Sequence, residues 1–397
     1  MLILTVLVSP TLPAAPPVND EVDAYLATAA VPIQRIDGAW IDPFVSDRRV
    51  VLIGEETHGI AEHLALKGEL GRRLIMHHGF THVLIEDDVF KGDAISANLR
   101  AQVPEPVAPL MRSFFWCWNV AELHDFFDQR PPLHPVPIVA GVDVQTAAFA
   151  LHALKSKART EEQLEALETL EEIFSGGSRE YAGGSDQQKA DDLRRIDEAQ
   201  PLFSAVDAQR EFAHLERVHR VWAVASDHGL RMNARDRGMT ESTLDVLHQD
   251  PDAKVVLFVH NAHGGYTPFY ESFTGGVVPL ARHLRDQGVR TLSIGAVFAT
   301  GSTLLDPRAR EKAGGAIKRI TVPPADSQAE HWATIPHDRW LLDVRSIVEQ
   351  DLQEPVAAFF FRSPSGHFDN YGPARPLAST YDLIVGYRTV RPATTPR

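Results

Sequence analysis

The chain has 397 residues, 44% of them hydrophobic, and its formal net charge at pH 7 is −14. This length and apolar content allow one large α/β domain or two smaller ones. A surface with this negative charge disfavours nucleic acid and anionic lipid as partners. The single cysteine, Cys117, excludes an internal disulfide and a zinc site made of several thiolates.

The first residues have part of the pattern of a signal peptide. Leu2–Val8 is apolar and is followed by Ser, Pro and Ala residues up to Ala15, but no basic residue precedes it. We predict that residues 1–22 are either a signal peptide, with export to the periplasm or the medium, or the disordered start of a cytoplasmic protein. Because no run of about 18 apolar residues occurs, no integral membrane segment is predicted.

Short apolar strands alternate with helices along the chain. Val50–Ile53 predicts a buried strand, Ala61–His78 has the spacing of a helix that stops at Gly79, and His82–Ile85 predicts the next strand. Further strands are predicted at Pro137–Val142, Lys254–Val259, Val289–Val297, Val356–Phe361 and Asp382–Tyr387. This alternation predicts an α/β fold with a mostly parallel central sheet and helices on both faces.

One long region breaks the alternation. Between Ala147 and His248 the apolar residues have helical spacing, and the Gly- and Ser-rich residues 175–185 predict a flexible loop between helices. We predict a helical insertion over about 147–248 that covers the carboxyl ends of the strands and shapes a pocket. The domain is expected to span 23–390, and the Pro-containing residues 391–397 are expected to be a disordered tail.

Acidic residues and histidines follow the predicted strands. Because parallel strands lie about 4.8 Å apart and end at one edge of the sheet, these side chains are expected to meet in one pocket. His58 is suited to act as a general base at neutral pH, and a carboxylate beside it can fix its tautomer. The residues concerned are Glu55, His58, Glu86, Asp143, His260 and His263.

Each of these residues also has a structural interpretation. Glu55 could cap the following helix, Glu86 could be a surface acid, and Asp143 could accept backbone hydrogen bonds at a strand end. His260 and His263 could bind carbonyl groups at the rim of the sheet. Cys117 lies in the aromatic run Phe114–Trp118, which predicts that its thiol is packed rather than nucleophilic.

Other chemistries are disfavoured by spacing. Gly54 and Gly59 have the spacing of a P-loop, but the Lys and Ser/Thr that bind phosphate are missing, and no Gly-x-Ser-x-Gly motif occurs. No cofactor is predicted. A divalent metal is left open as an alternative, although the spacings match no standard zinc pattern. Its ligands would come from Glu55, His58, Glu86, His260 and His263.

Several motifs occur in the order that is typical of one family. Gly54–Gly59 resembles the GExTHG signature of the erythromycin esterase family, and Glu86 falls where that family places a second glutamate. The likeness covers roughly residues 45–390. The other matching segments are Trp118–Glu122 (W-x-x-x-E), Gly141–Asp143 (G-x-D), Arg235–Met239 (R-D-x-x-M), His260–His263 (HNxH) and Tyr381–Asp382.

The resemblance implies a hydrolase that opens a macrolide lactone without a serine nucleophile, and with it a role in antibiotic resistance. In that family the histidine matching His58 acts as the base on water, and the glutamates matching Glu55 and Glu86 assist. His260 and His263 would line the same site and polarise the carbonyl or protonate the leaving oxygen. Substrate-binding roles are expected for Arg235, Asp143 and Trp118.

The expected partner is a small-molecule ester or lactone, and the sequence predicts no oligomeric state. Two alternatives stay open. One is a metal-dependent hydrolase that uses the same side chains. The other is a non-catalytic protein whose pocket only binds a small molecule.

Overall fold

The computed structural model describes residues 20–101, 105–128, 133–267, 276–307, 315, 317–320, 328–348 and 379–395. Residues 1–19 of the segment 1–22, predicted to be a signal peptide or a disordered start, and the strand predicted at Val356–Phe361 lie outside these residues. Within them the chain is a mixed α/β structure, and the predicted fold class is confirmed. None of the described helices is both long and apolar enough to cross a membrane.

One mixed sheet forms the centre of the molecule. Across the described residues its spatial order is β1-β8-β9-β6-β2-β5-β3-β4, and β7 pairs with β6. Pairing is parallel from β9 through β6, β2, β5 and β3 to β4, and antiparallel for β1 with β8, β8 with β9 and β6 with β7. The strands are β1 (Val31–Pro32), β2 (Val50–Ile53), β3 (His82–Asp88), β4 (Ile138–Asp143), β5 (Val255–Phe258), β6 (Thr291–Leu304), β7 (Ile317–Ile320), β8 (Arg339–Asp343) and β9 (Leu383–Val390).

Helices precede, connect and cover the strands. They are α1 (Asp20–Ala29), α2 (Ala61–His78), α3 (Gly92–Leu99), α4 (Ala121–Asp128), α5 (Ala148–Lys157), α6 (Glu161–Ile173), α7 (Gly177–Ala182), α8 (Asp186–Ala199), α9 (Ala205–Ala223), α10 (His228–Gln249), α11 (Asn261–Gly264), α12 (Leu280–Asp286), α13 (Gln328–Thr334) and α14 (Arg345–Val348). Short 3₁₀ helices occur at Ala39–Phe44, Leu110–Ser113 and Gln200–Leu202. The boundaries predicted for α2 agree with those observed.

The alternating directions of apolar side chains along the central strands explain why both faces of the sheet carry helices. Val51 and Ile53 of β2 point to the face covered by α2 and α4. Val50 and Leu52 point to the opposite face, where α10 and α12 pack. Because successive side chains of a strand point to opposite faces, an apolar run such as β2 must be covered on both.

The six consecutive helices α5–α10 separate β4 from β5 and form the predicted helical insertion. Residues of α5, α6, α8 and α9 pack into a core of their own, which includes Leu170, Phe212 and Trp222. The prediction of a flexible loop over 175–185 is partly wrong, because α7 forms inside it and Ser185 caps α8 by accepting from the Gln188 amide. The N-terminal end of α10 reaches the carboxyl ends of the parallel strands, as shown below.

The expectation of a disordered tail does not hold for residues 391–395. Ala393 is buried and donates its amide to the Gly59 carbonyl at 2.8 Å. Thr394 donates its amide to the Glu122 carboxylate and accepts from the Ala121 amide. Proline composition alone suggested disorder, but these backbone groups find partners on the loop before α2 and at the start of α4.

Candidate active site

Close contact between loops brings the strand ends together. Gly54 follows β2, and a Cβ atom at this position would lie 2.1 Å from the Asn261 Oδ1 atom. A glycine is therefore required for the loop after β5 to approach the loop after β2. The Asn261 amide then binds the backbone of β6, donating to the Ala296 carbonyl at 2.8 Å and accepting from its amide at 3.2 Å.

A buried carboxylate holds His58 from one side. Glu55 Oε1 lies 2.5 Å from His58 Nδ1, and Glu55 Oε2 accepts from Lys67 Nζ at 3.1 Å. Lys67 also donates to the Gly54 carbonyl at 3.1 Å, and Glu55 and Lys67 are both fully buried. The His58 side chain keeps 31% of its surface exposed, so it is the member of this chain of contacts that can meet a ligand.

The charges in this chain of contacts set its protonation. Burial would raise the pKa of Glu55, but Lys67 and the hydrogen bond with His58 lower it, so Glu55 is a carboxylate at neutral pH. Burial would lower the pKa of His58, but contact with the Cys117 sulfur and with Glu55 raises it well above 6.5. Because burial raises the pKa of Cys117, its sulfur is a neutral thiol and Glu55 supplies the negative charge.

Arg235 joins the ends of β3 and β4. Its guanidinium binds both oxygens of Asp143, each at 2.9 Å, and donates to Glu86 Oε1 at 2.7 Å. The other oxygen of Glu86 accepts the His260 backbone amide at 2.6 Å. Burial would raise the pKa of Glu86, but His263 and Arg235 lower it. Both carboxylates are therefore ionised, and the charge of Arg235 is balanced within the protein.

The two histidines after β5 have different environments. His263 Nδ1 lies 2.8 Å from Asp236 Oδ1, and its Nε2 accepts from Arg235 Nη1 at 3.0 Å. Burial would lower the pKa of His263, but Asp236 and Glu86 raise it. His260 has a pKa well below 6.5, because it is buried and lies near the positive charge of His58, at 5.0 Å between ring centroids. Its Nδ1 accepts from the Ala262 amide, so the neutral ring carries its proton on Nε2.

These side chains face a cavity of about 610 Å³. Its wall includes His58, Glu86, Arg235, His260 and His263, together with aromatic rings from the segment before α4. The rings of Trp116 and Trp118 stand edge-on to His58, with centroids 6.0 and 6.2 Å away. A polar floor with an aromatic wall, in this range of volume, is typical of a small-molecule site.

The structure brings the sequence-predicted residues to this cavity with two exceptions. Glu55 lies behind His58, and Asp143 lies behind Arg235, where it holds the guanidinium rather than lining the wall. Trp118 lines the cavity with its ring while its Nε1 donates to the Glu86 carbonyl at 2.7 Å. In the structure Asp143 thus holds the guanidinium of Arg235, and the substrate-binding role expected for it from the sequence stays a prediction.

Two buried residues were missed from the sequence. Lys67 lies in phase with Leu64 and Leu70 on the apolar face of α2, and a lysine in such a stripe is a signal for a buried ion pair. Asp236 follows Arg235 in the R-D-x-x-M motif, but the motif alone did not reveal that it binds His263. In the described residues, no group of three or more His, Cys, Asp or Glu side chains is arranged to hold a metal ion.

The geometry defines an α/β protein whose cavity, lined with histidines and carboxylates, lies at the carboxyl ends of a mostly parallel sheet. The sequence profile of the erythromycin esterase family matches residues 75–390, so the chain belongs to the erythromycin esterase family. This confirms the resemblance seen in the motifs. Membership supports a hydrolase of that family and suggests a small-molecule substrate.

Solved structures share the fold at low sequence identity. A succinoglycan biosynthesis protein is 16% identical with a TM-score of 0.73, covering 96% of this chain and 100% of that chain. A Bacillus cereus protein is 17% identical with a TM-score of 0.71, covering 95% and 99%. A histidine-to-asparagine mutant of the erythromycin esterase EreC, in its open conformation, is 15% identical with a TM-score of 0.65, covering 88% and 93%.

Proposed function

We propose that the protein hydrolyses an ester or lactone with water activated by His58. The observation that carries this proposal is the position of His58, whose Nδ1 is held by the buried Glu55 carboxylate while its ring faces the cavity. Since Nδ1 is engaged, Nε2 is the nitrogen that takes the proton from water. Glu55 stabilises the imidazolium that forms, and Lys67 fixes the second oxygen of Glu55.

The carbonyl of the substrate needs a hydrogen-bond donor where negative charge develops. His260 supports this role, because its neutral ring presents Nε2–H and its Nδ1 is fixed by the Ala262 amide. Glu86 holds the backbone amide of His260 and so sets the position of the ring. We assign protonation of the leaving oxygen to the imidazolium of His58, while Arg235, which also contacts His263, keeps Glu86 in place.

Macrolide lactones are the first substrates to test, because the chain belongs to the erythromycin esterase family. Opening of such a ring would inactivate the antibiotic and give resistance. The test is mass spectrometry of erythromycin and of a library of small esters after incubation with the protein. We expect a substrate to gain one water and the His58→Ala variant to lose this activity.

Three controls separate the alternatives. His77, an exposed residue of α2, gives a matched histidine-to-alanine variant that should keep full activity. Activity that survives exhaustive chelation excludes the metal-dependent hydrolase. Turnover that increases with protein concentration and is absent from His58→Ala excludes a protein that only binds its ligand. Full activity in His58→Ala would refute the assignment of the base.

A further inference from the structure

One face of α10 lines the cavity with two guanidinium groups. His228, Arg231, Met232 and Arg235 are spaced i, i+3, i+4 and i+7, so they share one face of the helix, and all four line the cavity wall. Arg231 precedes Arg235 by about 6 Å along the helix axis, which is roughly one turn. The two arginines therefore sit at different positions along the same wall.

The two guanidiniums differ in their partners. Arg235 is bound by Glu86 and Asp143, so its charge is neutralised by the protein. Arg231 donates from Nη2 to the Nδ1 of His228 at 3.1 Å, and no carboxylate among the described residues lies within ion-pair distance of it. His228 can accept this bond because burial, and the charge of Arg231 next to it, lower its pKa and keep it neutral.

The contact of Arg231 with a neutral histidine differs from the contacts of other arginines in the described part of the chain. Most of them form ion pairs with Asp or Glu, including Arg210 and Arg220 at exposed positions. In a protein with a formal net charge of −14, acidic partners are abundant. Arg231 lines a ligand-sized cavity, and its partner among the described residues is a neutral imidazole, which holds the guanidinium without cancelling its charge.

We infer that Arg231 binds a carboxylate group of the substrate, so that the substrate class is an ester or lactone that also carries an acidic group. The planar guanidinium can bind both oxygens of a carboxylate at once. A singly charged group fits this wall better than a dianionic phosphate, because the carboxylates of Glu86 and Asp306 also line the cavity. A substrate that carries a protonated amine is disfavoured at the same place.

This inference rests on the proposed ester hydrolysis and narrows it. The kinetic test compares monoethyl succinate, glutarate and adipate with neutral ethyl esters of equal chain length. Wild type should favour one of the acidic esters, and Arg231→Ala should raise the KM for that ester about 10- to 100-fold while leaving the neutral esters unaffected. The KM of Arg231→Lys for the acidic ester should lie between that of wild type and that of Arg231→Ala, because lysine keeps the positive charge but lacks the planar guanidinium that binds both carboxylate oxygens.

Arg237 provides the matched control, since it lies exposed on the same helix and outside the cavity wall. Arg237→Ala makes the same change of charge and should behave as wild type. Equal preference for acidic and neutral esters in wild type, or the same preference in Arg231→Ala as in wild type, overturns the inference while ester hydrolysis stands.

A binding measurement decides the case in which no ester is turned over and the proposed hydrolysis itself fails. Succinate and inorganic phosphate are titrated calorimetrically into wild type, Arg231→Ala and Arg237→Ala. Succinate binding that is lost only in Arg231→Ala supports the carboxylate site. Absence of succinate binding to wild type, binding unchanged in Arg231→Ala, or binding of phosphate alone overturns it.

Discussion

Two histidines in the cavity wall have opposite protonation at neutral pH, although their rings are 5.0 Å apart. The pKa of His58 is raised because Glu55 lies against it, whereas that of His260 is lowered by burial and by the positive charge of His58. The positive charge of His58 thus helps to keep His260 neutral. His58 is therefore the stronger base, and His260 is a neutral hydrogen-bond donor. The raised pKa of His58 predicts how the activity should depend on pH.

A base must lose its proton before it can act, so the acid side of the pH profile of kcat/KM should follow the pKa of His58 in the free protein. Since that pKa is raised, we expect activity to rise with pH at values above 6.5. Glu55→Gln removes the negative charge and should move this limb to lower pH while reducing kcat. A limb at or below pH 6.5 in wild type, or one unmoved in Glu55→Gln, would contradict the assignment.

Glu56 gives a second prediction at the level of one residue. Burial raises its pKa to about 8, although its side chain accepts from the Phe298 amide. Between its ordinary value near 4.5 and pH 8, the folded state keeps a proton that the unfolded state has released. The stability linked to this proton is complete below about pH 4.5 and is lost as the pH rises through 8.

Glu56→Gln keeps an acceptor oxygen and is neutral at every pH. We expect its melting temperature, relative to wild type, to increase steadily from pH 5 to pH 8.5, with a free-energy difference on the order of a few kcal/mol across that range. Calorimetric unfolding at several pH values measures it. A difference that does not change with pH would show that Glu56 is already ionised in the folded protein.

At the level of elements, the site depends on how the loops after β2 and β5 are tied to β6. Asn261 makes this connection through two hydrogen bonds to the Ala296 backbone, and the Tyr381 hydroxyl donates to the Asn261 carbonyl at 3.0 Å. Because β6 neighbours β2, this contact fixes His260 and His263 relative to His58. Asn261 is thus a structural member of the HNxH motif.

Asn261→Ala should lower the free energy of unfolding by about 2–4 kcal/mol, because it leaves a buried amide and a buried carbonyl without partners. We also expect kcat to fall, since both histidines lose their fixed position. Thermal unfolding and steady-state kinetics measure the two effects. Asn98→Ala on α3, where the side chain binds Glu105 at the surface, is the control and should change neither quantity appreciably.

The elements and the site could be predicted to different extents. The strands and the residues that follow them were accessible because apolar runs and strand ends are local features of the sequence. The ion pair of Lys67 with Glu55 was not, because it depends on which face of α2 turns toward β2. Likewise, the apolar residues before Asp143 predicted its place at a strand end. They could not predict that Arg235, 92 residues later, donates to both of its carboxylate oxygens.

At the scale of the whole molecule, the backbone of residues 391–395 binds both the loop between His58 and α2 and the start of α4. Their backbone binds both sides of the loop before α2, where Ala393 donates to the Gly59 carbonyl and the Ala61 amide donates to the Arg391 carbonyl. Gly59 has a φ of 81° and directly follows His58. The last described residues thus support the turn that follows His58, the residue proposed as the base.

Deletion of everything after Val390 should therefore lower both the melting temperature and kcat, because the Gly59 turn and the start of α4 lose partners. Arg391→Ala is the matched control. It removes an exposed ion pair with Glu62, which is worth little, and leaves the backbone contacts in place. Equal activity and melting temperature in the truncated protein and in wild type would show that the segment does not support the site.

The position of β9 inside the sheet, between β8 and β6, has a consequence for biosynthesis. A nascent chain emerging from the ribosome can form the β2-β5-β3 ladder early, but the flank of β6 stays unpaired until residues 383–390 are translated. Such a late, sequence-distant pairing delays folding and leaves an edge that other chains can join. Chaperone protection between the synthesis of β6 and that of β9 should therefore matter more for the yield of this protein than for one whose neighbouring strands are translated close together.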